Sequence, residues 1–334
     1  MTDTHPELID QFGRNIGYLR LSVTDRCNFR CPYCRLPKGE EELSPTALTE
    51  DETVRLVHLF SELGIHHFRL TGGEPLLRRN LAQMVARMTN SPYVHEISLS
   101  TNAFFLPQQA KSLKQAGVGR VNISLDSLDP TTFDQLTRGG DLKQVLQGID
   151  AALEAGLTPV KLNMVVMGGI NDHEIGAMIR FARAKGVVLR FIEAMPIGEA
   201  GVSIMGQHVS TDQIVTQIQK AFPGELQPDI GPGGSGPARY FRISGLGANI
   251  GIISAVSKHF CATCNRVRLT SWGDLVLCLG QSHRLGLRDL LRNGLSDTEL
   301  KQIIAAKIYK KPKSHTFNAL SPSNDGFNMA SLGG

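Results

Sequence analysis

YLRLSVTDRCNFRCPYC, residues 18–34, runs from an alternating strand directly into three cysteines, and that junction decides the fold. Leu19, Leu21 and Val23 share one face and Arg20 points the other way, the period of two expected of a strand with one buried side. Cys27, Cys31 and Cys34 then stand in C-x3-C-x2-C spacing. Three thiolates can hold three corners of a cubane 4Fe-4S cluster, which ordinarily takes four cysteines. One iron is then open to another ligand, as the metal of a catalytic site is. Zinc loops pair their cysteines as C-x2-C or C-x4-C with partners far along the chain, a pattern this compact triple fits poorly.

The same alternation returns in HFRLTG (67–72), HEISLST (95–101), RVNISLD (120–126), PVKLNMVVM (159–167) and VVLRFIEAM (187–195). Between them apolar residues recur at helical spacing, as in Leu142, Val145, Leu146, Ile149 and Leu153. Six strand-then-helix units predict an α/β fold with a parallel sheet and helices packed on it. Parallel strands buried on both faces read as nearly continuous apolar runs. These do not, so one face is wet or filled by ligand. With helices on the apolar side, the expected architecture is an open, incomplete parallel β/α barrel. Its lumen would carry Arg20, Arg69, Lys161 and Arg190, a cation cluster suited to a polyanion such as a triphosphate. An antiparallel sheet with one solvated face would alternate in the same way, but hairpin signals are scarce before residue 245.

After residue 195 the regularity fades. Residues 208–221, 286–293 and 296–308 read as helices, and GPGGSGPARY (231–240) as a loop with little order of its own. VRLTSWGDLVLC (267–278) reads as a hairpin whose Gly-Asp turn places Cys278 at the end of the second strand. Cys278 completes a second triple with Cys261 and Cys264, and none of the six cysteines is left over. Two groups of three suggest two clusters, each with an uncommitted iron. For the second triple a Cys3His zinc site using His283 or His259 is the rival. A disulfide framework does not suit 6 cysteines in 334 residues without a secretory leader. The expected division is residues 1–245, a partial barrel with the first cluster, and 246–334, an extension with the second.

A net charge of +4 makes no bulk electrostatic case for nucleic-acid binding. The longest apolar runs fall short of the ~20 residues that span a bilayer, and MTDTHPELIDQFGRN (1–15) is too polar for a signal peptide. The expected compartment is the reducing cytoplasm, where thiolates survive as metal ligands.

TGGEP (71–75) follows the second strand, where paired glycines let a ligand approach the backbone without interference from Cβ. CATCNRVRLT (261–270) surrounds the second triple, with Arg266 and Arg268 on one face of a strand. Together with the first cysteine loop, these motifs resemble those of the radical S-adenosylmethionine superfamily. Within it, nearly the whole chain, from about residue 10 to Gly333–Gly334, resembles the GTP 3′,8-cyclase family of molybdenum-cofactor biosynthesis.

The resemblance implies two 4Fe-4S clusters, one on Cys27, Cys31 and Cys34 and an auxiliary one on Cys261, Cys264 and Cys278, whose open iron faces the guanine. It implies S-adenosylmethionine held by Tyr33, Gly73, Ser124 and Met195, with Asn163 a further match. GTP would be held by Arg20, Arg69, Ser100, Lys161, Arg266, Val267 and Arg268. The implied activity is that of a radical S-adenosylmethionine lyase. One electron cleaves the cofactor to methionine and a 5′-deoxyadenosyl radical, which takes the 3′ hydrogen of GTP; C3′ closes onto guanine C8, and reduction and protonation then give (8S)-3′,8-cyclo-7,8-dihydroguanosine 5′-triphosphate. No side-chain nucleophile or acid–base pair is required. Further implications are a flavodoxin or ferredoxin as electron donor, transfer of product to cyclic pyranopterin monophosphate synthase, a homodimer, and a double-glycine tail reaching the active site. Two departures from the family pattern are STNA (100–103) in place of the common TTNG, and His67 where lysine is frequent. The competing readings are a peptide-modifying enzyme of the same superfamily, usually richer in C-terminal cysteines, and a zinc-stabilised nucleotide-binding module.

Overall fold

All six expected strands form: β1 (Tyr18–Ser22), β2 (His67–Thr71), β3 (Glu96–Thr101), β4 (Val118–Ser124), β5 (Lys161–Val166) and β6 (Val188–Glu193). The structure is a computed structural model and describes residues 7–36, 47–224, 226–231, 236–244, 246, 248–281, 283–317 and 329–333. The six strands pair in parallel in chain order, which excludes the antiparallel alternative. Their apolar side chains, among them Leu19, Phe68, Leu99, Val121, Leu162 and Phe191, are wholly buried in one core. Each such side chain contributes roughly 1.5–3 kcal/mol by leaving water.

The helices between the strands supply the other side of that core. Helix Glu50–Glu62 starts at Thr49, whose hydroxyl accepts from Glu52 N while the Glu52 carboxylate accepts from Thr49 N. That reciprocal pair satisfies two otherwise orphaned donors and aims Leu56, Val57 and Phe60 at the sheet. Helix Leu142–Glu154 is capped by Asp141 and buries Val145 and Ile149. The helices expected at 208–221, 286–293 and 296–308 appear as Thr211–Ala221, Leu287–Arg292 and Asp297–Tyr309.

The sheet continues beyond β6, and here expectation and structure differ. Strands β7 (Leu226–Asp229), β8 (Arg239–Ile243) and β9 (Ala248–Ile253) extend one edge. β9 runs parallel to β6, followed by β8 and β7 in antiparallel pairing. Arg239 and Tyr240, expected in the loop 231–240, begin β8. Pairing along an edge makes these strands, and local composition does not announce them. Gly251 lies in β9 because a Cβ there would stand 2.9 Å from Arg190 Cγ and 3.0 Å from the Tyr240 ring, so the gap admits both side chains to the lumen.

At the opposite edge β10 (Arg266–Leu269) lies parallel to β1, followed by β11 (Asp274–Val276) and β12 (Arg284–Gly286), both antiparallel. The expected hairpin is β10–β11. Its turn is closed by Thr270 N donating to Asp274 O at 3.0 Å, with Gly273 at φ +94°. Among the described residues the twelve strands form one open sheet in the order β12-β11-β10-β1-β2-β3-β4-β5-β6-β9-β8-β7. Residues on both sides of position 245 therefore share it. Among the described residues no helix is long and apolar enough to cross a membrane.

Candidate active site

Strand register builds the lumen. Arg268, Arg20 and Arg69 stand side by side across β10, β1 and β2, with Ser98 of β3 next in the row. On the other half Asn122 of β4 pairs with Lys161 of β5, and Ser124, Asn163 and Arg190 align across β4, β5 and β6. Arg69, Lys161 and Arg190 are all at least nine-tenths buried. Arg190 Nε donates to Asn163 Oδ1 at 2.9 Å, the Arg69 guanidinium lies 5.6 Å from the Tyr18 ring centre, and Lys161 Nζ lies 6.0 Å from that of Tyr240. Glu96 is shared by Arg120 at 2.5 Å and by His67 at 3.3 Å, so the histidine that replaces the usual lysine has a carboxylate partner.

This crowding has an electrostatic result. Burial, reinforced by Arg190, Arg120 and Arg69, lowers Lys161 to about 7. Burial with Arg69 lowers Arg190 to about 10, and burial with Arg266 lowers Arg268 to about 10. Arg20 is pushed well below its ordinary value by burial and by Arg268. Buried Nε of Arg69 and Arg266, Oγ of Ser100 and Oδ1 of Asn122 have no hydrogen-bond partner among the described residues. Such groups are costly when left unmade, so the lumen fits a polar, anionic ligand.

At the carboxyl ends of the strands Cys27, Cys31 and Cys34 line one cavity with Tyr33, Gly73, Ser100, Ser124, Asn163 and Met195. The TGGEP glycines hold the loop itself. A Cβ on Gly72 would stand 2.2 Å from Thr24 O, and one on Gly73 2.1 Å from Arg26 O. Gly73 N donates to Thr24 O at 2.9 Å and Glu74 N to Arg26 O at 2.7 Å. The close approach expected of a ligand is thus made by the backbone of the cysteine loop, although Gly73 still lines the cavity.

The carboxyls of Glu74 and Asp126 were given no role by the sequence reading. Glu74 accepts from Thr101 Oγ1, Asn102 N and Leu76 N at 2.7–3.0 Å, yet burial raises it to about 7. Asp126, raised to about 6 by burial, accepts from the Tyr33 hydroxyl at 2.6 Å and from Val165 N at 2.8 Å. The available signal was its place just past the carboxyl end of β4, where barrels present ligand-facing side chains.

Cys261, Cys264 and Cys278 line a second cavity with Met195, Arg266, Arg268, Lys311 and His315. Cys264 precedes β10, and Cys278 follows β11, which runs antiparallel to it, so both lie at the amino end of β10. Cys27 follows the carboxyl end of β1, its parallel neighbour. The two trios therefore flank opposite ends of one strand pair, with the Arg20–Arg268 row between them. Met195 lines both cavities.

Glu193 and Arg14 fix the second trio's approach. Glu193 accepts from Thr211 N, Val256 N and Ser257 N at 2.7–2.9 Å, and Arg14 Nη1 donates to Cys261 O at 2.9 Å. Against burial, Lys311 and Arg266 hold Cys264 below the usual thiol range, while burial pushes Cys278 up. Of the two histidines a zinc site would use, His283 is exposed on Gln281, whereas His259 lines this same cavity and packs 5.3 Å from His315. All six cysteines are free of disulfides. Among the described residues no three Cys, His, Asp or Glu side chains converge as one ion requires; a cubane distributes its thiolates over separate irons.

Val267 sends its side chain into the core, on the face opposite Arg266 and Arg268. The tail helix Met329–Leu332 packs Met329 and Leu332 on Ile197 and Val276, beside Cys34 and Met195. Gly333 O accepts from Arg20 Nε at 3.0 Å, Arg20 Nη2 at 2.7 Å and Arg268 Nη1 at 2.8 Å. The tail thus reaches the lumen arginines; Gly334 lies outside the described residues.

An open parallel sheet with a cysteine trio beyond its first strand defines a radical S-adenosylmethionine domain. Residues 21–182 match the model of the Radical SAM superfamily, and residues 187–317 that of Molybdenum Cofactor Synthesis C. The fold is similar to that of Streptococcus suis SuiB bound to S-adenosylmethionine, with a TM-score of 0.62 at 13% identity over 91% of this chain and 77% of that one. In sequence the chain is 48% identical over 329 residues to the GTP 3′,8-cyclase of Hydrogenovibrio crunogenus, covering 98% of this chain and 99% of that protein. It is 45% identical over 313 residues to the GTP 3′,8-cyclase of Marinobacter nauticus, covering 93% and 94%. The chain belongs to the GTP 3′,8-cyclase family.

Proposed function

We propose that this chain converts GTP to (8S)-3′,8-cyclo-7,8-dihydroguanosine 5′-triphosphate in molybdenum-cofactor biosynthesis. The observation that carries the reading is a buried cationic lumen between two cysteine-lined cavities that share Met195. Cys27, Cys31 and Cys34 would hold one 4Fe-4S cluster in the partial barrel (1–245), and Cys261, Cys264 and Cys278 a second in the C-terminal region (246–334). When bound, the first cluster and S-adenosylmethionine supply a 5′-deoxyadenosyl radical able to take the 3′ hydrogen of GTP.

The protein's own part is placement. Tyr33, Gly73, Ser124 and Met195 hold the cofactor, with Tyr33 fixed by Asp126 at 2.6 Å. Arg20, Arg69, Lys161, Arg190 and Arg268 bind the triphosphate, Ser100 adds a nucleotide contact, and Arg266 guards the second cavity. Such placement matters because a misplacement of ~1 Å can cost ~100-fold in rate. GTP takes over donors that now hold the Gly333 carbonyl, so the tail moves aside or is shared when substrate enters. The reading includes a cytoplasmic homodimer, a flavodoxin or ferredoxin as electron donor and cyclic pyranopterin monophosphate synthase as the next enzyme.

The test is anaerobic purification followed by an assay with GTP, S-adenosylmethionine and dithionite. The reading expects about eight irons per chain, 5′-deoxyadenosine and a cyclised nucleotide. A colourless zinc protein, or cofactor cleavage that never yields a cyclised nucleotide, would overturn it.

A further inference from the structure

Lys311 is 1% exposed and lines the cavity of Cys261, Cys264 and Cys278. Its ammonium donates to the carbonyl of Leu277, the residue before Cys278. Burial lowers it below the ordinary lysine value; the thiols of Cys264 and Cys278 act the other way and favour its charge, while Arg14 and Arg266 oppose it. Arg14 is already committed to Asp10 at 2.6 Å and to the carbonyls of Cys261, Pro312 and Lys313. A buried ammonium is tolerated where an anion compensates it, and the surroundings offer it thiolates. The first cavity is the opposite case, since the carboxyl of Asp126 lines it together with Cys27, Cys31 and Cys34.

Reduction of a three-thiolate cubane adds one electron to a centre that is already negative. A fixed cation beside it favours the reduced state and a carboxylate disfavours it; net charge and local environment set iron–sulfur potentials. We propose that Lys311 is a positioning residue that raises the reduction potential of the second cluster, so that one chain holds its two clusters at different potentials. The proposal rests on the two-cluster reading above. The carboxyl-backed first cluster is then the stronger reductant, and the lysine-backed second cluster retains an electron.

The test is an anaerobic redox titration with dithionite, followed by electron paramagnetic resonance. It uses the full chain with Cys27, Cys31 and Cys34 replaced by Ala, so that the remaining signal is that of the second cluster, and the holoenzyme in parallel. In this background Lys311→Met should keep about four irons and shift the midpoint to more negative potential, while Lys311→Arg stays near the parent. If Met loses the cluster and Arg keeps it at the parental midpoint, the charge is again what matters. A Met variant with the parental midpoint overturns the proposal, as does loss of the cluster in both variants, which would make Lys311 a packing residue. A parent chain without iron, in a holoenzyme with only the first cluster, instead overturns the two-cluster reading and the proposal with it.

Discussion

Lys161 sits among Arg69, Arg120 and Arg190, and burial together with those cations brings it to about 7. Above pH 7 the amine is mostly neutral in the free protein, and a bound triphosphate restores its charge. GTP binding at pH 8 should therefore take up a proton at this residue, and affinity should fall by up to about tenfold per pH unit above 7. Calorimetry in two buffers of different ionisation enthalpy reads the uptake. Lys161→Met should abolish it and weaken GTP binding by roughly 10- to 100-fold, the loss of one charge-assisted contact; unchanged uptake would assign the proton elsewhere. The same shift acts on folding. Because the folded value lies below the ordinary 10.5, the unfolded chain binds more protons between pH 7 and 10.5, and this group's contribution to stability rises with pH across that window. Arg20, Arg69, Lys161 and Arg190 were legible because a strand puts alternate residues on one face. Tyr240 and Lys311 were not: one belongs to a strand made by edge pairing, and the other lies in KKPK, which reads as solvated surface.

Elements, in this chain, are held together at a few close approaches. Ala103 has φ +65°, a left-handed conformation costly for a residue with a Cβ, where the family commonly has glycine. Helix Leu142–Glu154 passes over it at Gly148, where an added Cβ would stand 2.2 Å from Ala103 O and 3.0 Å from Ala103 Cβ. Gly148→Ala should cost about 1–3 kcal/mol, seen as a lower urea midpoint at unchanged slope. Glu193 plays the equivalent part for the C-terminal half, joining the end of β6 to the start of helix Thr211–Ala221 and to Val256–Ser257 on the way to Cys261. Glu193→Ala should release that approach loop, so that purified protein drops from about eight irons to about four while the signal of the first cluster persists. Loss of both clusters would mean that Glu193 supports the whole barrel. Period-two patterning revealed β1–β6, but Glu193 looked like one more strand residue, and its partners come from segments 18 and 63 positions away.

The molecule as a whole is an open sheet whose lumen is reached by its own C-terminal tail. The two cysteine trios are separated by more than two hundred residues of sequence, and the parallel pairing of β1 with β10 sets them at opposite ends of one strand pair. No local pattern reveals such a pairing, since it depends on a long crossover returning to the first strand. The tail helix lines the first cavity with Met329 and sets Gly333 O on Arg20 and Arg268. A chain ending before Met329 returns those donors to solvent and lets water reach the first cavity. GTP should then bind at least as tightly, because no carbonyl competes for the two arginines. The cyclised product should nevertheless fall by about 100-fold or more, since the nucleotide is no longer confined in one pose, while 5′-deoxyadenosine continues to form. Chromatography of both products from one anaerobic reaction gives the ratio. If the shortened chain cyclises GTP at the parental ratio, the tail only covers the barrel mouth, and placement in the lumen rests on the strand cations alone.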